Sequence, residues 1–385
     1  MRRLKPDFKT IADFRRDNRK AFKAVFRQFV LLCRDLDLFG RELIAVDGTR
    51  IKAVNSKDKN FTKTSLDKLI KHSDETLEKY LALLDTGDDG EDGTPGGGTA
   101  DDLEAKIANI RARREKLQGY LTDLQQNGEN QISLTDPDAR AMARMTKVGV
   151  GYNIQTAVDA KHSLIVEQHV TNKVLDYGHL TETAAAAKDA LDAETLDVVA
   201  DRGYFQAEDI EACEKAGMVP YVPKPNRGPA KREGLFPKED FTFDAENDGY
   251  TCPGGRFLRR KGKGRAKVRD GLERQMYSGQ GVCRGCALKA KCTTAGFRQL
   301  TRYANEAILE RMADRVAARP ELQDIPRQTV EHPYGSIKQW MNQGAFPMRG
   351  LENVRGEFSL TALADNIRRA ITLVGIPALI AAVRA

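Results

Sequence analysis

The sequence predicts an α/β fold, a mixed sheet flanked by helices, with one helical and one cysteine-bearing insertion. Three observations predict it. Short apolar, β-branched runs at residues 43–46, 196–200 and 219–222 have the length and composition of buried strands. Residues 152–158 and 163–170 alternate well enough to form a hairpin turned at 159–162. Amphipathic helical periods occupy 8–38, 62–84 and 100–126.

Composition sets the outer bounds. A chain of 385 residues with 41% apolar and 30% charged side chains can bury a large core and still carry insertions, and it reads as soluble and globular. The apolar stretch 371–383 contains Gly375 and Pro377 and is too short to span a bilayer, so no membrane association is expected. Met1-Arg2-Arg3 is not followed by the apolar core of a secretory signal, which places the protein in the cytoplasm and its six cysteines in reduced form. A net charge of +7 and a pI near 9.0 suit an anionic partner, although charge also serves solubility.

Taken in order, residues 8–38 read as helical, with Phe22, Val25, Phe26, Phe29, Val30 and Leu32 forming an apolar stripe ahead of Gly40. Residues 1–40 are therefore expected to be the remnant of a helical domain. The core opens at 41–61 with the first strand, which 51–55 continue or leave. Two charged amphipathic helices follow at 62–84 and 100–126; Leu66, Leu69 and Ile70 on one can answer Leu103, Ile107 and Leu117 on the other, as in an antiparallel hairpin inserted over 62–126. Its tip, 85–99, is acidic and glycine-rich, expected to be disordered and to make no phosphate contact. The core resumes over 127–225 with the strand hairpin, an alanine-rich helix at 180–191 and the strands 196–200 and 219–222. A second insertion, 226–310, carries the cysteines, and helices over 311–385 complete the core. The resulting order is β-β-β-α-β-α-β-α.

Three acids occupy distinct settings in that order. Asp47 ends Leu43-Ile44-Ala45-Val46, and Asp201 ends Val198-Val199-Ala200, so each would stand at the C-terminal edge of a buried strand. Glu331 lies in a helical stretch between Arg327 and Lys338. Alone, each has an ordinary explanation: a strand-end Asp commonly forms a turn or caps a helix, and a helical Glu is usually solvated. Brought together, three carboxylates could hold two divalent cations. Mg²⁺, or Mn²⁺ in its place, is a hard cation that prefers carboxylate, water and phosphate oxygen. Two such ions roughly 3.5–4 Å apart activate an attacking oxygen, stabilise a leaving one and neutralise phosphoryl charge. At 100° per residue Arg327, Glu331 and Lys338 share one helix face, which would flank the acid with cations for DNA phosphates. Pro333 is expected to kink that helix near its own position, with Pro326 an alternative helix start.

At these residues the chain resembles the bacterial insertion-sequence transposases with a DDE catalytic core. The matching residues are Asp47-Gly48-Thr49-Arg50-Ile51-Lys52-Ala53-Val54-Asn55, Gly151-Tyr152-Asn153-Ile154-Gln155-Thr156-Ala157-Val158-Asp159, Asp201-Arg202-Gly203-Tyr204, and Arg327-x3-Glu331-x6-Lys338. The similarity runs from about residue 8 to about residue 376. It implies an RNase H-like sheet, Mg²⁺ held by Asp47, Asp201 and Glu331, and cleavage at element ends by water attack. It further implies joining of the freed 3′-hydroxyl to target DNA, double-stranded DNA as partner, a homodimer assembled on that DNA, and a bacterial, nucleoid-associated location. Lys52, Asn55, Arg202, Tyr204, Arg327 and Lys338 are the expected DNA contacts near the acids. Relatives usually have more sequence upstream, including a helical region for end binding, so the chain reads as an N-terminally short copy. The competing expectation is a shortened, non-catalytic DNA-binding regulator or inhibitor of full-length relatives.

Cys252, Cys283, Cys286 and Cys292 cluster in the second insertion, where Cys283-x2-Cys286 has zinc-knuckle spacing and Pro253-Gly254-Gly255 allows a tight turn beside Cys252. A structural Zn²⁺ is expected there, the alternative being unmetallated cysteines packed in a small domain. Cys33 and Cys213 read as core residues. The same insertion holds the densest basic run, Arg256, Arg259, Arg260, Lys261, Lys263, Arg265, Lys267 and Arg269, either a phosphate-binding surface, with Arg259 and Arg260 the named contacts, or a solvated loop. Tyr277 and Trp340 could stack on an unpaired base, though isolated aromatics more often pack.

Overall fold

A computed structural model describes residues 5–55, 57–87, 100–142, 149–225, 233–262, 267–269 and 272–384. The chain starts with helices α1 (Phe8–Asp17) and α2 (Arg19–Asp35), then strand β1 (Leu43–Lys52) and the short β2 (Asn60–Thr62). Helices α3 (Lys63–Gly87) and α4 (Ala100–Gln126) form the inserted hairpin, followed by β3 (Gln131–Ser133) and β4 (Arg140–Ala141). The core continues through β5 (Val150–Asp159), β6 (Ile165–Thr171), α5 (Leu180–Leu191), β7 (Leu196–Ala200), α6 (Ala207–Lys215) and β8 (Met218–Tyr221). Strands β9 (Thr242–Asp244), β10 (Gly249–Thr251), β11 (Phe257–Arg260), β12 (Lys267–Arg269), β13 (Leu272–Ser278) and β14 (Gln299–Tyr303) build the second insertion. Helices α7 (Glu306–Ala318), α8 (Ile325–Gly335) and α9 (Leu351–Arg384) end the chain.

The central sheet runs β4-β5-β1-β7-β8, with β6 also paired to β5. Strands β5 and β1 are antiparallel, whereas β1, β7 and β8 are parallel. That mixed order is the RNase H-like arrangement. The buried, β-branched runs of β1 and β7 suit central strands covered on both faces, and every residue of β5 is buried. A tight turn follows β5: Asp159, fully buried, accepts hydrogen bonds from the Gly40, Arg41 and Lys161 amides, which fixes the entry to β1 beside the β5–β6 turn.

Helix α2 departs from the expected remnant. Phe26, Val30 and Cys33 belong to the same core as the central sheet, and α2 packs against α9, β6 and α5. Helix α2 thus contributes to the core of the central sheet, whereas α1 buries no residue. Helices α3 and α4 pack on each other, with Leu66, Leu117 and Leu124 in a small core of their own beside the paired β2 and β3. Most of its expected disordered tip, 88–99, lies outside the described residues. The second insertion has an independent core of Phe241, Tyr250, Leu258, Tyr277 and Leu300. Tyr277 therefore packs inside, its hydroxyl donating to Asp248 Oδ1 at 2.5 Å, and is not a surface stacking platform.

The terminal helix is longer than the apolar stretch 371–383 suggested. Among the described residues it is one helix long and apolar enough, by length and composition, to cross a membrane. It breaks at Gly375 (φ 81°), with Pro377 two residues on, and its first half is anchored to the sheet. There the Asn366 amide binds both the N–H and the carbonyl of Ile165, and Ser359 accepts from Gln168 at 2.7 Å.

Candidate active site

Parallel pairing places Val46 opposite Ala200, which sets Asp47 beside Asp201. Asp201 follows the end of β7 as expected, but Asp47 does not end its strand: β1 runs on to Lys52, held by its antiparallel pairing with β5. Asp47 Oδ1 accepts from its neighbour's amide, Gly48 N, at 2.7 Å. Asp201 lies at the accessible rim, where Oδ1 accepts from Gly203 N at 2.7 Å and caps the short turn Arg202–Tyr204. The turn-capping role open to a strand-end Asp is thus present, and it leaves the second oxygen to other partners.

Strand alternation divides the neighbours of Asp47 between two faces. Asp47, Thr49 and the paired Thr156 face α8. Tyr334 on α8 is buried there, its hydroxyl donating to the Asp47 carbonyl oxygen at 2.8 Å and lying 2.8 Å from Thr156 Oγ1. One turn further, Lys338 Nζ donates to Thr49 Oγ1. Glu331, the third predicted acid, sits on the same helix three residues before Tyr334 and is exposed. The helix carrying Glu331 is therefore pinned to the strand carrying Asp47 by contacts on the C-terminal side of that acid.

The expected kink at Pro333 takes another form. Helix α8 runs through Pro333, which has no N–H to give, and the chain widens into a π-helical turn over Ser336–Trp340. Ser336 N–H reaches both His332 O and Pro333 O. The wider turn carries Lys338 inward and leaves Trp340 80% exposed, with the Arg368 guanidinium 5.6 Å from its ring centre.

On the opposite face, Gly48 and Arg50 pair with Gln155 and Asn153. A fourth acid that sequence reasoning missed, Asp176, reaches this face from the loop between β6 and α5. Its Oδ1 accepts from Asn153 Nδ2 and Gln155 Nε2, both at 2.9 Å, and its Oδ2 from Arg50 at 2.8 Å. The available signal was the pair Asn153 and Gln155: two fully buried polar side chains on one face of a strand require polar partners.

Charge is concentrated here. Burial pushes the Asp47 carboxyl up to about 7, and Asp201 and Asp176 add to the rise. Asp201 is also raised, first by burial and then by Asp176, against the Gly203 amide. Burial lowers the Lys338 ammonium from its ordinary value, with Asp47 opposing.

The remaining predicted contacts divide. Arg202, directly after Asp201, is exposed, and so is Lys52 at the far end of β1. Tyr204 is fully buried, its hydroxyl donating to Gln155 Oε1, so the expected DNA contact is replaced by an internal one. Asn55 donates to the Ser133 hydroxyl and ties the exit of β1 to β3. Helix α8 contains Arg327, whose side chain lies outside the described residues. In the second insertion Arg259 and Arg260 are exposed, Arg260 pairing with Asp248 at 3.2 Å. Lys263 and Arg265, and the side chains of Lys267 and Arg269, are outside the described residues.

Cys252, Cys283, Cys286 and Cys292 line one pocket with Phe241, Leu258 and Leu288. Burial raises the Cys292 thiol, and the other three thiols add to the rise while Arg298 opposes it. As the side chains stand, no group of three or more His, Cys, Asp or Glu among the described residues is arranged to hold a metal ion. The donor chemistry nevertheless fits both expected ions, oxygen at Asp47 and Asp201 for a hard cation and sulfur in the insertion for a softer one.

Two family models, each of the transposase DDE domain, match this chain, one over residues 131–278 and the other over 251–371. Together they span 131–371, which includes Asp201 and Glu331, while Asp47 precedes the matched region. No curated protein and no solved structure gave a match. With the sheet order and the adjacent acids Asp47 and Asp201, these matches show that the chain belongs to the insertion-sequence DDE transposase family, whose members act on DNA and generally use a divalent metal such as Mg²⁺.

Proposed function

We propose that this chain cuts DNA strands at the ends of its element and joins the freed 3′-hydroxyl to target DNA, with Asp47, Asp201 and Glu331 holding Mg²⁺ or Mn²⁺. The observation that carries this reading is the parallel register that sets Asp47 beside Asp201, with α8 anchored to β1 next to Glu331. When bound, paired divalent cations would activate the attacking oxygen and neutralise charge on the phosphoryl group and the leaving oxygen. The chain itself supplies position and charge. Asp47 sits within central strand β1 and Asp201 directly after β7, and Tyr334 fixes the height of α8 beside Asp47. Lys338 presents a cation beside Asp47, while Lys52, Arg202 and Arg327 have the charge to contact DNA phosphates.

Arg259 and Arg260 extend a sequence-independent phosphate surface, whose binding should weaken steeply with salt. The four insertion cysteines hold a structural Zn²⁺ that stiffens this surface. Activity belongs to a homodimer assembled on DNA at the bacterial nucleoid. The testing experiment is strand cleavage and joining by purified protein on DNA carrying candidate element ends, with and without Mg²⁺. Mg²⁺-dependent nicks at the ends followed by joined products are expected. End binding with no cleavage at any divalent-ion concentration would instead identify a regulator of full-length relatives.

A further inference from the structure

Asp176 stands where the two acids, Asp47 and Asp201, are set in place. A Cβ added to Gly48, the residue after Asp47, would lie 2.6 Å from Asp176 Oδ1 and 2.6 Å from Gln155 Nε2. A Cβ added to Gly203, in the turn after Asp201, would lie 2.8 Å from Asp201 Oδ1 and 3.5 Å from Asp176 Oδ2. The Asp176 carboxylate is thus packed against the backbone that follows each acid. Its side chain is only 15% exposed, and three donors already occupy it: Asn153, Gln155 and Arg50.

Those donors lead on to the acids. Gln155 turns its other atom, Oε1, to the hydroxyl of the buried Tyr204, so Asp176 holds through Gln155 the turn that Asp201 caps. Arg50 projects from β1 three residues after Asp47, and its guanidinium is held by Asp176 Oδ2 and by the Val174 carbonyl at 3.1 Å. Without Asp176 the Arg50 guanidinium would keep only the Val174 carbonyl and lose its charge partner, and its uncompensated charge, already within electrostatic reach of Asp47 and Asp201, would compete with any cation for them.

We propose that Asp176 is a positioning residue of the metal pocket: it anchors the Arg50 guanidinium away from Asp47 and Asp201, and through Gln155 and Tyr204 it fixes the turn that carries Asp201. This inference rests on the reading of Asp47 and Asp201 as metal ligands. Because its carboxylate is occupied by protein donors, Asp176 acts on the ion through charge balance and orientation rather than by ligation.

The test is direct Mn²⁺ binding to the full chain without DNA, read by the electron paramagnetic resonance of free Mn²⁺, with folding followed by circular dichroism. Asp176→Asn should raise the Mn²⁺ dissociation constant by about 10-fold or more, the usual range for losing a group that orients metal ligands. The double variant Arg50→Gln with Asp176→Asn should recover most of that affinity, since the competing cation is then gone. A purely structural Asp176 would show no such recovery, and that outcome overturns the proposal. If Asp176→Asn does not fold, Arg50→Gln alone decides: tighter Mn²⁺ binding is expected, and weaker binding contradicts it. Wild-type binding that is lost in Asp47→Asn but unchanged in Asp176→Asn would sink the Asp176 role alone. Wild-type protein that binds no Mn²⁺ would sink the metal pocket and this inference with it.

Discussion

The Tyr334 hydroxyl donates to the Asp47 carbonyl oxygen at 2.8 Å, a bond that joins α8 to β1 across a separation of 287 residues. Because Tyr334 gives its proton to that carbonyl, the Thr156 hydroxyl must donate to the Tyr334 oxygen; the bond to Thr156 is buried and the bond to Asp47 partly so. Removing the hydroxyl leaves the Thr156 proton without its acceptor in a dry site. Tyr334→Phe should cost about 1–2 kcal/mol of stability. Nicking should fall on the order of 10- to 100-fold, because Glu331 rides on the loosened helix. Thermal unfolding and single-turnover cleavage check both; unchanged cleavage would separate α8 from the site.

Gly48 makes a sharper packing test. Its missing side chain is filled by Asp176 Oδ1 and Gln155 Nε2, with the Tyr204 hydroxyl 3.2 Å from the same point. Gly48→Ala must push these buried groups apart and should cost about 1–3 kcal/mol. A stable Gly48→Ala protein with wild-type melting temperature would show that the network has slack the contacts deny.

The sequence reveals some of these features and hides others for physical reasons. Asp47 and Asp201 are legible because parallel strands buried on both faces read as unbroken apolar runs, and each is the first acid after such a run; that β1 continues past Asp47 to Lys52 is not legible, because its pairing with β5 joins segments about 100 residues apart. The hairpin α3–α4 is legible from its 3.6-residue period. Asp176 is not, because it lies in an aperiodic loop and its partners come from strands 21 to 126 residues away in sequence. Tyr204 shows the converse limit: the motif places a tyrosine three residues after Asp201 but does not say that its ring turns inward to Gln155. Pro333 is legible as a residue without an N–H, but the sequence does not show that the helix runs through it and widens into a π-turn only at Ser336–Trp340, between the anchors Tyr334 and Lys338. The role of α2 was hidden because an apolar helical stripe does not name the surface it covers.

Stability should depend on pH through the buried acids. Burial raises Asp47 and Glu357 to about 7 and Asp365 to about 6. An acid raised on folding binds its proton more tightly in the folded state, so its contribution is full below the ordinary carboxylate range and is lost as pH rises through about 6–7. Asp47→Asn removes one such loss. In metal-free protein the variant should gain on wild type by about 2 °C or more between pH 5 and pH 8, measured by thermal scans in chelator. A difference that stays constant with pH, or shrinks, would mean that Asp47 is not buried as described. Added Mg²⁺ should stabilise wild type at pH 8 and not the variant.

The insertion offers an independent check. Freshly reduced protein should contain about one equivalent of zinc, and Cys286→Ser should lose it while loosening the insertion toward proteolysis. Metal-free protein with an intact, protease-resistant insertion would leave the four cysteines as packing residues around Phe241 and Leu258.

The most direct measurement is single-turnover nicking of end-containing DNA in Mg²⁺ by wild type, Asp47→Asn, Asp201→Asn and Glu331→Gln, with DNA binding measured in parallel. Each substitution should slow nicking by about 10³-fold or more while leaving DNA binding in place. Nicking at the wild-type rate by any one of the three would remove that residue from the metal pocket and break the assignment of the site.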